Sequence, residues 1–162
     1  MKIINEDLLA QKCDVICFSA NAFIKANGRL TMGAGAAKRV RDAFPGIDDV
    51  FGTRLSKGIT GLVCEDYNIC HVKYNSQDFI AVQVKRHFKD FREKCWNLAW
   101  QSMEKFKFMV GENPDMSFRM NVPLINNCGY AGSETCIIGK LHELFDSCDN
   151  ITFCKLAREV KI

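Results

Sequence analysis

Residues Asp14–Phe44, DVICFSANAFIKANGRLTMGAGAAKRVRDAF, decide how this chain folds. Asp14–Ala20 is almost continuously apolar, as a strand buried on both faces must be. A polar loop follows, and then the small-residue turn Gly33-Ala34-Gly35. After it Ala36, Ala37, Val40, Ala43 and Phe44 recur at spacings of three and four, with Lys38, Arg39, Arg41 and Asp42 on the other side. That periodicity predicts an amphipathic helix over 36–44, stopped by Pro45-Gly46. Strand, glycine turn and helix in this order aim bare backbone N–H groups and a helix N-terminus at the space beyond the strand. A phosphate can sit there.

Working outward, residues 1–5 read as a first strand, and Ile47, Val50, Phe51 and Leu55 predict a short helix behind the first one. Gly61–Glu65 and Phe79–Lys85 read as strands, with a further strand over Ile69–Tyr74 and a turn at Asn75-Ser76. Phe91, Cys95, Leu98, Ser102 and Phe106 predict a long helix over 89–109, and Ser117–Val122 another strand. A second glycine turn, Asn127-Cys128-Gly129-Tyr130-Ala131-Gly132, then precedes a helix carrying Ile137, Ile138, Leu141, Leu144 and Phe145, with Ser133 as its expected cap. Ile151–Leu156 closes the sheet. Strands alternating with helices make a layered α/β domain, and its ligands collect beyond the carboxyl ends of the strands. Both glycine turns fall there, which suits a diphosphate held from two sides.

Composition sets bounds on function. With 162 residues, 48% of them hydrophobic and 25% charged, the chain reads as one globular domain, 1–162. No apolar run approaches the roughly 20 residues of a bilayer span, so no membrane partner is expected. Nine cysteines without a C-x-x-C pair, several among apolar neighbours, point to free thiols in a reducing, cytoplasmic setting. The same spacings argue against a metal site. A net charge of +3 does not mark a nucleic-acid binder, although the run Lys85-Arg86-His87-Phe88-Lys89 is either a solvated strand end or a landing place for an anion.

A dinucleotide-binding Rossmann fold is the obvious rival, and it fails on geometry. Gly33-Ala34-Gly35-Ala36-Ala37-Lys38 lacks the third glycine of G-x-G-x-x-G, and the loop from Asn21 to Met32 is far longer than a Rossmann turn. What remains resembles a macrodomain, the ADP-ribose-binding α-β-α fold, over nearly the whole chain. Asn5-Glu6-Asp7-Leu8-Leu9 is similar to the family's Gly-Asp-Ile/Leu signature, with Glu6 in place of glycine. Asp14-Val15-Ile16 followed by Ser19-Ala20-Asn21 is similar to its D-V-I-V-N-A-A-N strand. Gly33–Ala37 and Asn127–Gly132 are similar to its two phosphate loops. Met32–Ala37 with Phe44-Pro45-Gly46 most resembles the branch holding ADP-ribosyl-glutamate glycohydrolases and ADP-ribose-1″-phosphate phosphatases.

The resemblance implies a three-layer α-β-α domain with a central mixed sheet of six or seven strands. It implies binding of ADP-ribose or a close derivative, with hydrolysis of an ADP-ribosyl bond or of the 1″-phosphate. The alternative is a module that only binds or sequesters such nucleotides. Asp7 would accept from the adenine amine and the Leu8 N–H would donate to the ring, unless Asp7 only caps its own turn. Gly33, Ala34, Gly35 and Ala36 would take the diphosphate on one side, or serve only to pack helix on sheet. Asn127, Cys128, Gly129, Tyr130 and Ala131 would cover the other side, with Tyr130 against the distal ribose. Asn21 would bind that ribose beside C1″. The branch's catalytic lysine falls on Val84, with Lys85 adjacent; its aspartate falls on Ala131 and the phosphatase histidine on Phe18. Asn21 and Lys85 are therefore the catalytic candidates. No cofactor is expected, and the expected partners are the nucleotide itself and ADP-ribosylated protein, bound by a monomer.

Overall fold

The computed structural model describes residues 1–125 and 134–155, with the side chains of Arg92 and Glu93 left out. Twelve elements follow in chain order. They are β1 (Lys2–Ile4), β2 (Val15–Ala20), β3 (Phe23–Ile24), α1 (Gly35–Ala43), α2 (Ile47–Ser56), β4 (Leu62–Val63), β5 (Ile69–Tyr74), β6 (Gln77–Gln83), α3 (Arg92–Glu112), β7 (Phe118–Asn121), α4 (Glu134–Phe145) and β8 (Ile151–Cys154). Six strands form one sheet in the order β1-β8-β7-β2-β6-β5. The first five run parallel, and β5 is antiparallel to β6. The β5–β6 hairpin closes through Asn75 and Ser76, both at positive φ, which is the conformation a two-residue hairpin turn requires.

β2 shows how the apolar run makes three layers. Its period of two sends Val15 and Cys17 into a core shared with Ala99, Met103 and Phe106 of α3 and with Ile137, Leu141 and Phe145 of α4. Ile16, Phe18 and Ala20 go the other way, to Val40 of α1 and Ile47 and Phe51 of α2. Phe18 meets Phe51 edge-on at 5.4 Å between ring centroids. Each fully buried side chain of this size contributes about 2–3 kcal/mol, so β2 anchors both cores at once.

Two expectations need correction. Gly61–Glu65 does not enter the main sheet; only Leu62–Val63 is strand, paired antiparallel with β3 in a separate ribbon. Gly61 at φ 75 breaks the run, and Leu62 is 58% exposed, so there is no buried face to recruit it. The helix expected over 89–109 starts at Arg92 and ends at Glu112. Its first residues are taken by a turn, in which the Asp90 carboxylate accepts from the His87 N–H (3.0 Å) and the Asp90 N–H donates to the His87 carbonyl (3.0 Å). β3 itself was not foreseen, because two residues carry no period. Ser133 and Leu156 lie outside the described residues.

Candidate functional site

α1 starts without a cap. Ala34, at its N-cap, makes no side-chain bond, and the first turn holds no acidic residue. The first helical N–H groups therefore lack intrahelical acceptors and leave a concentration of partial positive charge. This end of α1 forms one wall of a cleft of about 580 Å³. The floor comes from the carboxyl ends of four parallel strands. Ser19, Ala20 and Asn21 belong to β2 and its exit, Val84 and Lys85 follow β6, Asn121 and Val122 end β7, and Cys154 and Lys155 end β8. Thr31 to Ala37 make the α1 wall, and Phe88, Leu124 and Ile125 complete the lining.

Asn21 is buried, and both ends of its amide are engaged. Nδ2 donates to the Thr31 carbonyl at 3.0 Å, and Oδ1 accepts from the Phe23 N–H at 3.0 Å. The Tyr67 hydroxyl donates to the Asn21 carbonyl at 2.6 Å. Asn21 thus fixes the loop that carries the glycine turn, and its second Nδ2–H has no protein acceptor among the described residues. Asn121 mirrors it from β7: Oδ1 accepts from the Ser19 N–H and Nδ2 donates to the Ser19 hydroxyl, each at 2.9 Å. Lys85 donates from Nζ to the Phe88 carbonyl at 3.1 Å, and Phe88 stacks on His87 with ring centroids 4.3 Å apart.

Two lysines and no carboxylate line the cleft among the described residues. Lys85 stands at the β6 end. Lys155 stands at the β8 end, its N–H on the Ile4 carbonyl at 2.8 Å and its ammonium paired with Glu134, the first residue of α4. Burial pushes the Cys154 thiol up to about 11, more than the Arg119 charge lowers it, so it is a neutral wall group. Phe18, where the phosphatase branch has its histidine, is fully buried against Phe51 and does not reach the cleft.

Gly33, Ala34, Gly35 and Ala36 meet Asn21 and Lys85 in this cleft. Asp7 and Leu8 are not among its lining. Leu8 is buried in the α1–α2 core, and the Asp7 carboxylate is taken by Arg39 of α1, from Nη2 at 2.7 Å and Nε at 2.9 Å. Partial burial acts to raise Asp7, and the Arg39 hydrogen bond, the Leu9 N–H and the Arg39 and Arg119 charges outweigh it, so its pKa lies below the ordinary value. Arg119, itself buried, holds this loop from β7 through Glu6, the Asp7 carbonyl and the Leu8 carbonyl. Asn127, Cys128, Gly129, Tyr130 and Ala131 lie outside the described residues. Among the described residues no three His, Cys, Asp or Glu side chains are grouped to hold a metal. No helix there is long and apolar enough to cross a membrane.

Neither a family model nor a curated protein matches the sequence. Solved structures do. The macrodomain of Thermus aquaticus DarG superposes with a TM-score of 0.70 at 13% identity, covering 96% of this chain and 97% of that one. The macrodomain of Mycobacterium tuberculosis DarG gives 0.68 at 12% identity, covering 96% and 97%. Thermosipho africanus DarTG in complex with ADP-ribose gives 0.68 at 20% identity, covering 99% of this chain and 42% of that one.

The fold is that of a macrodomain. Within it, three features of the cleft escaped sequence reasoning. Asn121 was not singled out, because its partner Ser19 is 102 residues away. Lys155 was read only as part of the last strand. Phe88 was absorbed into a basic run, although an aromatic residue among lysines is itself a signal for a stacking surface. His87 and Asp90, both titratable, are spent on the turn that presents Phe88. Besides the Asp90 contact, the Lys89 N–H donates to His87 Nδ1 at 3.1 Å.

The turn over residues 85–90 has an acid limit. Burial acts to raise Asp66, and its Arg86 and Gln83 hydrogen bonds and the Arg86 charge outweigh it; Asp90 is likewise lowered against burial by the His87 N–H and Lys94. Folded carboxyls held below their unfolded value of 3.8 stabilise fully above it and lose that contribution as pH falls through the folded pKa. Amide exchange over 85–90 should accelerate below pH 3.8 relative to the core strands. Asp66→Asn should make this loop exchange faster already at neutral pH, and unaltered exchange in both experiments would show that the ion pair does not hold the segment.

Proposed function

We propose that the cleft binds ADP-ribose or a close derivative, with the diphosphate on the N-terminal turn of α1. The observation that supports this most is the uncapped α1 terminus opening into a cleft that Lys85 lines and that, among the described residues, no carboxylate lines. Unsatisfied N–H groups at a helix start need an anion or water, and a wall of Gly33, Ala34 and Gly35 lets oxygen approach the backbone closely. The solved Thermosipho DarTG, 42% of whose chain matches this fold, is a complex with ADP-ribose. Titration calorimetry tests the reading: heat with ADP-ribose at submillimolar concentration is expected, and none at that concentration removes it.

In the same reading Asp7 and the Leu8 N–H serve the adenine end. Arg39 bonds only Oδ2 of Asp7, and Oδ1, which accepts from the Leu9 N–H at 3.1 Å, can accept a further bond because each carboxylate oxygen takes more than one. Asp7→Ala should weaken ADP-ribose by about tenfold, one charge-assisted bond's worth, and ribose 5-phosphate by less. Equal losses for both ligands would take Asp7 away from the adenine.

Hydrolysis at C1″ is the catalytic extension of this reading. Lys85 and the spare Asn21 N–H stand where the distal ribose would end, able to place a water and stabilise a departing oxygen. The absence of a carboxylate or imidazole among the described lining residues favours the second reading, a module that binds without turnover. Incubation with ADP-ribosylated protein and with ADP-ribose-1″-phosphate separates the two. Product from wild type, lost in Lys85→Ala, supports the enzyme; tight binding with no product supports the module.

A further inference from the structure

Lys155 lines the cleft at the other end of its floor from Lys85. Its place follows from the sheet. Lys155 leaves β8 and Lys85 leaves the segment after β6, with β7 and β2 between them. Three strand spacings set the two chain positions about 14 Å apart. The ammonium groups are held on separate partners, Lys85 on the Phe88 carbonyl and Lys155 on Glu134 at the start of α4. The β8 end therefore offers its charge to a different part of a ligand that spans the floor. β8 pairs with β1, the strand that leads into Asp7, so on the proposed reading that part is the adenosine ribose.

We infer that Lys155 forms an additional anion position, for a phosphate ester on the adenosine ribose of the bound nucleotide. Lys155 is 38% exposed and its present partner, Glu134, is 47% exposed, so the pair exchanges cheaply. Glu134 also opens α4, where the helix dipole stabilises a carboxylate released from its lysine. The ammonium can thus pass to an arriving phosphate without leaving an uncompensated charge behind. No carboxylate among the described lining residues opposes it. The ligand class is an ADP-ribose phosphorylated at the 2′- or 3′-hydroxyl, either as a free 2′-phosphonucleotide or as the 3′-phosphate of a longer chain.

The inference rests on the ADP-ribose reading, and the test keeps the two apart. Calorimetry at low salt would compare ADP-ribose, 2′-phospho-ADP-ribose and 3′-phospho-ADP-ribose on wild type, Lys155→Ala and Lys155→Arg. One phosphorylated form is expected to bind wild type about tenfold more tightly than ADP-ribose, the worth of one charge-assisted contact. The preference should vanish in Lys155→Ala, persist in Lys155→Arg and shrink as salt is raised. Preference for the 2′ form points to the free nucleotide and for the 3′ form to a longer chain, and either supports the position. ADP-ribose binding with no preference in wild type, or a preference unchanged in Lys155→Ala, overturns the inference alone. Failure of all three ligands to bind overturns it together with the ADP-ribose reading.

Discussion

Gly33→Asp is expected to abolish nucleotide binding while the protein stays folded. A Cβ added at Gly33 meets no atom within 4 Å, and its backbone is not in the left-handed region, so a side chain is accommodated without strain. The space it enters is the cleft. One residue before the N-cap of α1, the new carboxylate would sit near the free N–H groups and gain about 0.3–1 kcal/mol from the helix dipole. The same carboxylate takes the place proposed for the diphosphate and repels it. The dissociation constant for ADP-ribose should rise about 100-fold or more, about 2.8 kcal/mol, with a melting temperature at or above that of wild type. Gly33→Ala, which adds bulk without charge, should lose far less. Binding by Gly33→Asp within a few fold of wild type would place the anion elsewhere.

The second large effect falls on stability. α2 crosses the β3–α1 loop so closely that a Cβ at Gly52 would stand 1.9 Å from the Gly28 carbonyl oxygen and 2.9 Å from Arg29 Cα. Both are backbone atoms, and the Leu30 N–H is bonded to the Asp48 carbonyl of α2 at 3.0 Å, so the loop has no independent way to retreat. Gly52→Ala should cost about 2–4 kcal/mol by overpacking. For a chain of this size that lowers the melting temperature by about 5–15 °C. Gly139→Ala in α4 is the internal comparison. Nothing lies within 4 Å of its added Cβ, and alanine's better helix propensity should stabilise by up to about 1 kcal/mol. A Gly52→Ala protein that melts with wild type would mean the two segments are not in contact in solution.

What could be read from the chain alone was local. The apolar run Val15–Ala20, the spacing of Ala36, Ala37 and Val40, and the small residues before them sufficed to place a strand end, a turn and a helix start together. The structure brings Asn21, Gly33–Ala36 and Lys85 to one cleft for the reason that parallel strands end on the same side. What escaped depends on contacts distant in sequence. Arg39 read as one more exposed helix charge until its reach to Asp7, 32 residues away, was visible. Arg119 sits in a strand whose pattern called for an apolar residue, and only the carbonyls of Asp7 and Leu8 explain it. The β3–β4 ribbon has two residues per strand, too few for alternation to register. The second glycine turn, on which the reading from both sides of a diphosphate partly stood, lies outside the described residues.

Gly35 and Arg39 stand one helical turn apart on the same rod, α1. The N-terminal end of that rod faces the cleft, and its middle, through Arg39, is bolted to the Glu6–Leu8 loop that Arg119 holds from the sheet. A displacement of the helix by an arriving anion must therefore drag on the Asp7 loop, and a pull on Asp7 must shift the amides. On the proposed reading adenosine and ribose 5-phosphate would each load one end of this lever without filling the other, so their binding energies should not add up to that of the joined nucleotide.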